Sequence, residues 1–183
     1  MTQETDEEVA GHVQGGQSDR FGELVERYQE KLLRYGRRFL RDDDAEDIVQ
    51  DIFIKAYENI QSFDTTRRFS PWIYRIAHNE FVNAIKKQSR GPVFGIDVDE
   101  IFPHIAAPER AEDKALSRDA RETLERYLKE LDPKYREPLV LYYFEDMSYK
   151  DIADVLHIPI STVGVRIARG KSSLQKMAIP KHI

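Results

Sequence analysis

Residues 148–175 read SYKDIADVLHIPISTVGVRIARGKSSLQ, and this stretch decides the fold of the C-terminal part of the chain. Ser148, followed three residues later by Asp151, has the form of a capping box, which predicts the start of a helix. Pro159 lacks a backbone donor and disfavours helix at the residue before it, so a turn is expected there. Two short helices around a tight turn predict a helix-turn-helix over residues 149–175.

The second helix of this pair carries apolar and basic residues on different faces. Val163, Ile167 and Leu174 are spaced by four and seven residues, which places them on an inner face. The basic residues are expected on the outer face, where Arg can reach guanine edges or phosphates. The candidate DNA contacts in this helix are Ser161, Thr162, Arg166, Arg169 and Lys171. Ser161 or Thr162 also helps to cap it. An ordinary helical hairpin with solvated cations is the alternative left open.

The N-terminal half also has helical spacing. Apolar residues recur every three or four positions and predict a helix over residues 19–40. Asp44 is expected to cap a second helix. Ser70, with Pro71 at the first helical position, is expected to start a third. Residues 62–69 between the second and third helices read as a loop, and the three helices form a first domain.

Proline and glycine mixed with acidic residues break the helical pattern after Arg90 and predict a linker. Helical spacing returns near Glu109, and a further helix is expected over residues 134–144. No strand and no internal repeat is evident. The predicted class is all-α, with two small helical domains joined by a flexible linker. The predicted boundaries are an N-terminal extension at residues 1–17, a first domain at 18–90, a linker at 91–110 and a second domain at 111–178.

The composition excludes several classes of protein. No apolar run approaches the roughly 20 residues that a membrane span needs, and the acidic N-terminus lacks the apolar core of an export signal. The 183 residues include no cysteine, which excludes disulfides, thiol nucleophiles and thiolate metal sites. A cytoplasmic protein without membrane insertion, metal or cofactor is expected.

Charge is unevenly distributed along the chain. The net charge is −5, which is unusual for a protein that binds DNA. Residues 67–90 nevertheless hold six Lys or Arg against one Glu, whereas residues 1–66 hold eight basic and sixteen acidic residues. The chain is therefore charge-segregated, and its basic segment suits a nucleic acid. Chance clustering of surface charge is the alternative left open.

Three blocks of sequence resemble the extracytoplasmic-function sigma factors of RNA polymerase. Residues 43–57 (DDAEDIVQDIFIKAY) and 69–79 (FSPWIYRIAHN) resemble their second region. Residues 131–137 (LDPKYRE), with 151–153 and 158–163 further on, resemble their fourth region. The blocks occur in the family's order, and the resemblance covers about residues 18–90 and 110–176. It implies a stress-responsive specificity subunit that has no catalytic residues, binds core RNA polymerase and promoter DNA, and is held inactive by an anti-sigma factor.

The resemblance also implies roles for residues of the first domain. The acidic second helix would dock on the clamp helices of the largest polymerase subunit, with contacts from Asp47, Gln50, Asp51 and Phe53. The loop and third helix would open and read the proximal promoter element, where cations meet phosphates and amides meet base edges. The proximal candidates are Phe63, Arg67, Arg68, Trp72, Arg75, Asn79, Asn83, Lys86 and Lys87. Trp72 is the exception in this set, because a lone tryptophan behind Pro71 is more often a core residue than a stacking platform.

The helix-turn-helix would bind the distal promoter element. Gly164, Val165 and Ala168 stand where many relatives have basic or larger residues, which puts the base-by-base specificity in question. Two other functions remain open. One is a helix-turn-helix regulator that does not join polymerase, and the other is an enzyme with a metal at Asp42, Asp43 and Asp44, which is disfavoured because adjacent residues rarely converge on one ion.

Overall fold

The computed structural model describes residues 4–88 and 118–178, so the expected linker at 91–110 lies outside the described residues. The chain divides into two compact units, Met1–Gly95 and Ile96–Ile183. All regular secondary structure within the described ranges is helical, which confirms the all-α class. None of these helices is long and apolar enough to cross a membrane.

The described part of the first unit folds from four helices. They are α1 (Asp6–Gln14), α2 (Phe21–Gly36), α3 (Asp42–Asn59) and α4 (Phe69–Gln88). Short 3₁₀ turns at Ser18–Arg20 and Ile60–Ser62 precede α2 and follow α3. Aromatic rings fill the core, where Tyr35 meets Tyr74 and Phe81 at centroid distances of 5.3 and 5.5 Å.

Helix α1 was not expected, because residues 1–17 read as an extension. Thr5 and Glu8 form a capping box in which Thr5 N donates to Glu8 (2.8 Å) and Glu8 N donates to Thr5 Oγ1 (3.2 Å). Val9, Ala10 and Val13 are buried, and α1 packs on α2. The Thr-x-x-Glu pattern at residues 5–8 predicts such a helix start, so the signal was present in the sequence.

Three helix boundaries differ from those expected. The α-helix expected over residues 19–40 ends at Gly36, because residues 37–40 form tight turns in which Phe39 N and Leu40 N both donate to Gly36 O. The apolar residues in these turns continue the spacing of α2, although the chain is no longer α-helical there. Helix α3 begins at Asp42 with Arg41 as its cap, so Asp44 lies in the first turn.

Helix α4 begins at Phe69 and not after Ser70. Phe69 N donates to the carboxylate of Glu7 at 2.8 Å, so a side chain of α1 serves as the cap. A cap supplied from sixty-two residues away leaves no local signal.

The loop between α3 and α4 is closed by a turn at Asp64. The Asp64 carboxylate accepts hydrogen bonds from Thr66 Oγ1 (2.7 Å) and Thr66 N (3.0 Å). Arg67 N donates to Asp64 O at 2.9 Å. The side-chain bond from Thr66 is the first cause that lowers the pKa of Asp64, followed by the backbone bond and the charge of Arg67.

The described part of the second unit also has four helices. They are α5 (Arg118–Glu130), α6 (Pro133–Tyr143), α7 (Tyr149–Leu156) and α8 (Ile160–Ala178). Asp132 caps α6 by accepting from Lys134 N at 3.0 Å, with Pro133 at the first helical position. Helix α8 packs on α5, α6 and α7.

The helix-turn-helix expected from the sequence is confirmed. Ser148 and Asp151 form the capping box, with Asp151 N donating to Ser148 Oγ at 3.1 Å. His157 ends α7 in the left-handed region, with φ 54° and ψ 41°. Ser161 and Thr162 lie inside the first turn of α8 and do not precede it, because α8 already begins at Ile160.

A glycine permits the close approach of α8 to α6. A Cβ at Gly170 would lie 2.6 Å from Leu139 Cδ1 and 3.3 Å from the backbone oxygen of Tyr135. A Cβ at Gly164 would lie 3.4 Å from the Tyr149 ring, which is ordinary contact. The two glycines of α8 therefore have different roles. Gly170 is required for the close packing of α8 on α6, whereas Gly164 is not required for any close contact.

We expect Gly170→Ala to lower the free energy of unfolding of the second unit. Overpacking costs about 1–3 kcal/mol, whereas the gain in helix propensity is about 1 kcal/mol. Gly164→Ala keeps that gain without the clash and should stabilise α8. Hydrogen exchange of the α8 amides measures both effects, and equal protection in the two variants would contradict this packing argument.

We expect Thr66→Val to raise the pKa of Asp64 towards its ordinary value of 3.8, because valine cannot donate the side-chain bond. Arg67→Gln should change the pKa less. A pKa that is lower in the folded state stabilises the turn above about pH 3.8, and this contribution is lost as the pH falls through the folded pKa. An NMR titration of the Asp64 carboxyl carbon measures the shifts, and a larger effect from Arg67→Gln would reverse the assignment.

Candidate functional site

The outer side of α3 carries an acidic face, which we define as Asp47, Gln50, Asp51 and Ile54. These residues are spaced by three and four positions and so lie on one side of the helix. All four are exposed. Phe53 was expected among the contacts, but it is 8% exposed and its ring packs on Phe21 at 6.5 Å. Phe53 is therefore a core residue and is removed from the candidates.

Two exposed apolar side chains on α3 were missed by the sequence analysis. Ile54 is 56% exposed and Tyr57 is 44% exposed, and the Tyr57 ring contacts Phe21 at 5.2 Å. The signal was an excess of apolar residues between 52 and 57, more than one buried stripe can use. Exposed apolar side chains beside acidic ones are typical of a surface that meets another protein.

The run of three acids at the start of α3 lies in the first turn of that helix. Carboxylates are favourable there because the helix dipole is positive at this end. Asp42 lies 3.5 Å from Arg37. Within residues 4–88 and 118–178, no group of three or more His, Asp or Glu is arranged to hold a metal ion. The run of three acids is therefore explained by its place at the N-terminus of α3.

Helix α4 presents a polar face, which we define as Arg75, Asn79, Asn83, Lys86 and Lys87. Successive members are four, four and three or four residues apart, so they share one side of the helix. All five are exposed. The face offers cations for phosphates together with two amides that can both donate and accept hydrogen bonds.

A cleft of about 280 Å³ opens beside this polar face. Its lining comes from α3, the following 3₁₀ turn and α4, and consists of Lys55, Asn59, Ser62, Trp72, Arg75, Ile76, Asn79 and Glu80. Lys55 Nζ lies 2.5 Å from Glu80 Oε2 and ties α3 to α4 across the cleft. The sequence analysis missed Lys55, Asn59 and Ser62, because their place in the cleft depends on how α3 packs against α4.

Phe63, Phe69 and Trp72 form an aromatic cluster at one end of the cleft. Phe63 meets Phe69 at 5.3 Å and Trp72 at 5.2 Å between ring centroids. Phe63 is 5% exposed, so it supports the loop and is not available as a direct DNA contact. Trp72 is half-buried and lines the cleft. It therefore packs in the cluster and also presents part of its ring.

The loop itself exposes two predicted cations, Arg67 and Arg68. Arg67 Nε lies 3.7 Å from the Asp64 carboxylate, with 77% of its side chain exposed. An exposed pair of this kind contributes little to stability, so Arg67 can leave Asp64 when another anion is present. The loop and the polar face of α4 together carry five of the six cations of residues 67–90, and the sixth, Arg90, lies outside the described residues.

The outer side of α8 is less basic than expected. At 100° per residue, Ser161, Val165, Ala168, Arg169 and Ser172 lie opposite the buried pair Val163 and Ile167. The three predicted cations are half-buried, and only Arg169 lies on this outer surface. Arg166 Nε is buried without a hydrogen-bond partner among the described residues, and Lys171 Nζ lies 5.8 Å above the Tyr143 ring. Arg166 and Lys171 are thus at the margins of the outer surface.

Comparisons with known proteins agree with this arrangement. Residues 24–91 match Sigma-70 region 2, and residues 121–174 match Sigma-70 region 4. The chain is 36% identical over 173 residues to the ECF RNA polymerase sigma factor SigW of Bacillus subtilis, covering 90% of this chain and 91% of that protein. It is 32% identical over 186 residues to the ECF RNA polymerase sigma-E factor of Escherichia coli, covering 96% and 95%.

Two solved structures have the same fold. CnrH, solved in complex with the cytosolic domain of CnrY, has a TM-score of 0.69 at 27% identity, covering 95% of this chain and 97% of that one. The sigma factor RpoE of Bartonella quintana, solved with the anti-sigma factor NepR, has a TM-score of 0.65 at 26% identity, covering 86% and 95%. The chain therefore belongs to the extracytoplasmic-function family of RNA polymerase sigma factors, the proteins that bind core RNA polymerase and direct it to promoters.

Proposed function

We propose a division of labour among three surfaces of this sigma factor. The acidic face of α3 docks on core polymerase, the polar face of α4 with its cleft opens and reads the proximal promoter element, and α8 binds the distal element. The observation that carries the proposal is the cleft beside Asn79, where exposed cations, amides and an aromatic edge converge. The proposed domains are 18–90, extended on its N-terminal side by α1, and 111–178, with the linker at 91–110 between them.

The acidic face suits a protein partner. Asp47 and Asp51 supply charge that steers the encounter with a basic surface, and Ile54 supplies apolar area that is already out of the core. Interfaces gain their affinity from a few such anchors surrounded by polar residues. We assign this face to the clamp helices of the largest polymerase subunit, as the resemblance to the family implies.

The cleft suits a base that has left the duplex. Single-stranded nucleic acid is bound by cations that follow the backbone and aromatic rings that stack on bases. Arg75, Lys86 and Lys87 supply the cations, while the Asn79 and Asn83 amides can read base edges. The half-buried ring of Trp72 supplies an apolar wall, and the cleft has nearly the volume of a small ligand pocket.

Helix α8 suits the major groove by shape more than by charge. The small side chains of Val165 and Ala168 permit close approach, and Ser161 and Thr162 lie in the first turn, which faces bases in helix-turn-helix proteins. Arg169 is the predicted cation on this surface, whereas Arg166 and Lys171 flank it and would meet phosphates on either side. We therefore expect fewer direct base contacts than a more basic helix would make, with more of the specificity coming from DNA shape.

Control by an anti-sigma factor is part of the proposal. The RpoE relative was solved bound to such an inhibitor, and an inhibitor that covers the exposed acidic face would block docking on polymerase. We further propose that the chain acts in the cytoplasm in response to stress, and that it contributes specificity without catalytic residues, a metal or a cofactor.

Run-off transcription on a promoter library tests the function directly. Core polymerase with this chain should produce transcripts that core polymerase by itself does not. Asn79→Ala should reduce opening of the proximal element, measured by permanganate reactivity, while binding to duplex promoter persists. Transcripts that do not change on adding the chain would refute the function.

We expect Ile54→Asp to weaken binding to core polymerase by about tenfold or more, since losing a buried isoleucine contact costs about 1.5–3 kcal/mol and 1.4 kcal/mol is tenfold. Ile160→Asp is the matched control, because Ile160 is 53% exposed and lies at the start of α8. It should leave polymerase affinity unchanged and weaken binding to distal-element DNA. Fluorescence anisotropy measures both affinities, and equal losses of polymerase affinity would remove α3 as the docking face.

A further inference from the structure

We infer that α1 is a positioning element that sets the conformation of the reading loop, which we define as residues 63–68, and thereby tunes which base is taken from the proximal element. This inference rests on the proposed role of the cleft. It concerns residues that precede the matched Sigma-70 region 2 at 24–91.

Helix α1 holds both ends of the reading loop. Gln14 Nε2 donates to Ile60 O and to Phe63 O, each at 2.7 Å. At the other end, Phe69 N donates to Glu7 Oε1 at 2.8 Å. The two side chains of α1 therefore bracket the loop where it leaves the 3₁₀ turn and where it enters α4.

These bonds add partners for backbone groups at the two ends of the loop, and Ile60 O also accepts from Phe63 N within the 3₁₀ turn at 3.0 Å. Carbonyls at the end of a helix and amides in the first turn have no partner within their own helix. The Gln14 amide donates to two carbonyls, and the Glu7 carboxylate accepts from the Phe69 N–H at the positive end of α4. The loop's own turn at Asp64 and Thr66 closes its middle, so its ends depend on α1.

Helix α1 is itself firmly anchored. Asp6 accepts from Tyr28 Oη at 2.5 Å and from Arg27 Nη1 at 2.7 Å. Val9 and Ala10 are fully buried. Because α1 is fixed on α2, the side chains of α1 that bind the ends of the loop hold the loop in a fixed position relative to α2.

The reading loop lies directly beside the proposed base-binding cleft. Phe63, which Gln14 holds by its carbonyl, packs on Trp72, and Trp72 lines the cleft. Ser62, between the two carbonyls that Gln14 binds, also lines it. A change at Gln14 therefore reaches the cleft wall through two neighbouring residues without any contact between α1 and DNA.

Gln14→Glu tests this inference, because a carboxylate cannot donate to the carbonyls of Ile60 and Phe63. Gln17→Glu is the matched control: it adds the same charge three residues along, at an exposed side chain. The full chain with core polymerase is assayed for base preference across a library of proximal elements. Fluorescence of Trp72, the chain's one tryptophan, measures changes in the packing of the aromatic cluster of Phe63, Phe69 and Trp72. Polymerase affinity is measured for the same variants.

We expect Gln14→Glu to change the base preference by about fivefold, since the loss of one such hydrogen bond is worth about 1 kcal/mol and 1.4 kcal/mol is tenfold. Trp72 emission should shift, and polymerase affinity should match that of Gln17→Glu. Preference and emission equal to those of Gln17→Glu would overturn the inference. A parallel loss of polymerase affinity would assign Gln14 a merely structural role and would also overturn it.

Glu7 provides a second and independent pair of variants. Glu7→Gln retains an oxygen that accepts from Phe69 N and should preserve the base preference, whereas Glu7→Leu removes the acceptor and should change it. Equal behaviour of the two variants would count against α1 as the positioning element. If the unaltered chain directs no transcription, the proposed function fails, whereas an active chain that is insensitive to all these changes overturns this inference alone.

Discussion

Phe69 N stands at the start of α4, and an amide in this position has no partner inside its own helix. It donates to Glu7, while the carbonyls at the far end of the same connection accept from Gln14. These bonds fix both ends of the connection between α3 and α4, whose buried backbone groups need partners. Helix α1 is therefore a structural part of the first unit, the one proposed to read the proximal element.

The surfaces proposed for polymerase and for DNA follow from how one domain separates charge. Helix α3 keeps its acids on the outside and contributes only Lys55 and Asn59 to the cleft. Helix α4 exposes its cations and amides along one side. A net charge of −5 is thus compatible with DNA binding, because the surface proposed to meet phosphate is locally basic. The acids elsewhere suit a protein partner and oppose non-specific binding to nucleic acid.

In the second unit, the packing of α8 determines which of its side chains are exposed on the outer surface. Helix α8 packs so closely on α6 that Gly170 must lack a side chain, and Lys171 lies at the margin of the outer surface, above the Tyr143 ring. The helix proposed for the major groove therefore has an outer surface of mostly small, uncharged side chains, with Arg169 as the predicted cation among them. Specificity at the distal element then rests more on fit and on DNA shape than on a row of bidentate arginine contacts.

The sequence by itself determined the all-α class and the helix-turn-helix with its capping box at Ser148, because periodicity, capping and turn chemistry are local. The family came from the resemblance of three blocks of sequence to known sigma factors. It also determined which side of α4 is polar. Tertiary structure decided that Phe53 and Phe63 are core residues, that Ile54 is exposed, and that Lys55 joins the cleft. These outcomes depend on which helix packs against which, and spacing along one helix does not contain that information. The cap of α4 by Glu7 is the clearest case, since its two partners are distant in sequence and become neighbours only when α1 folds against the rest of the unit.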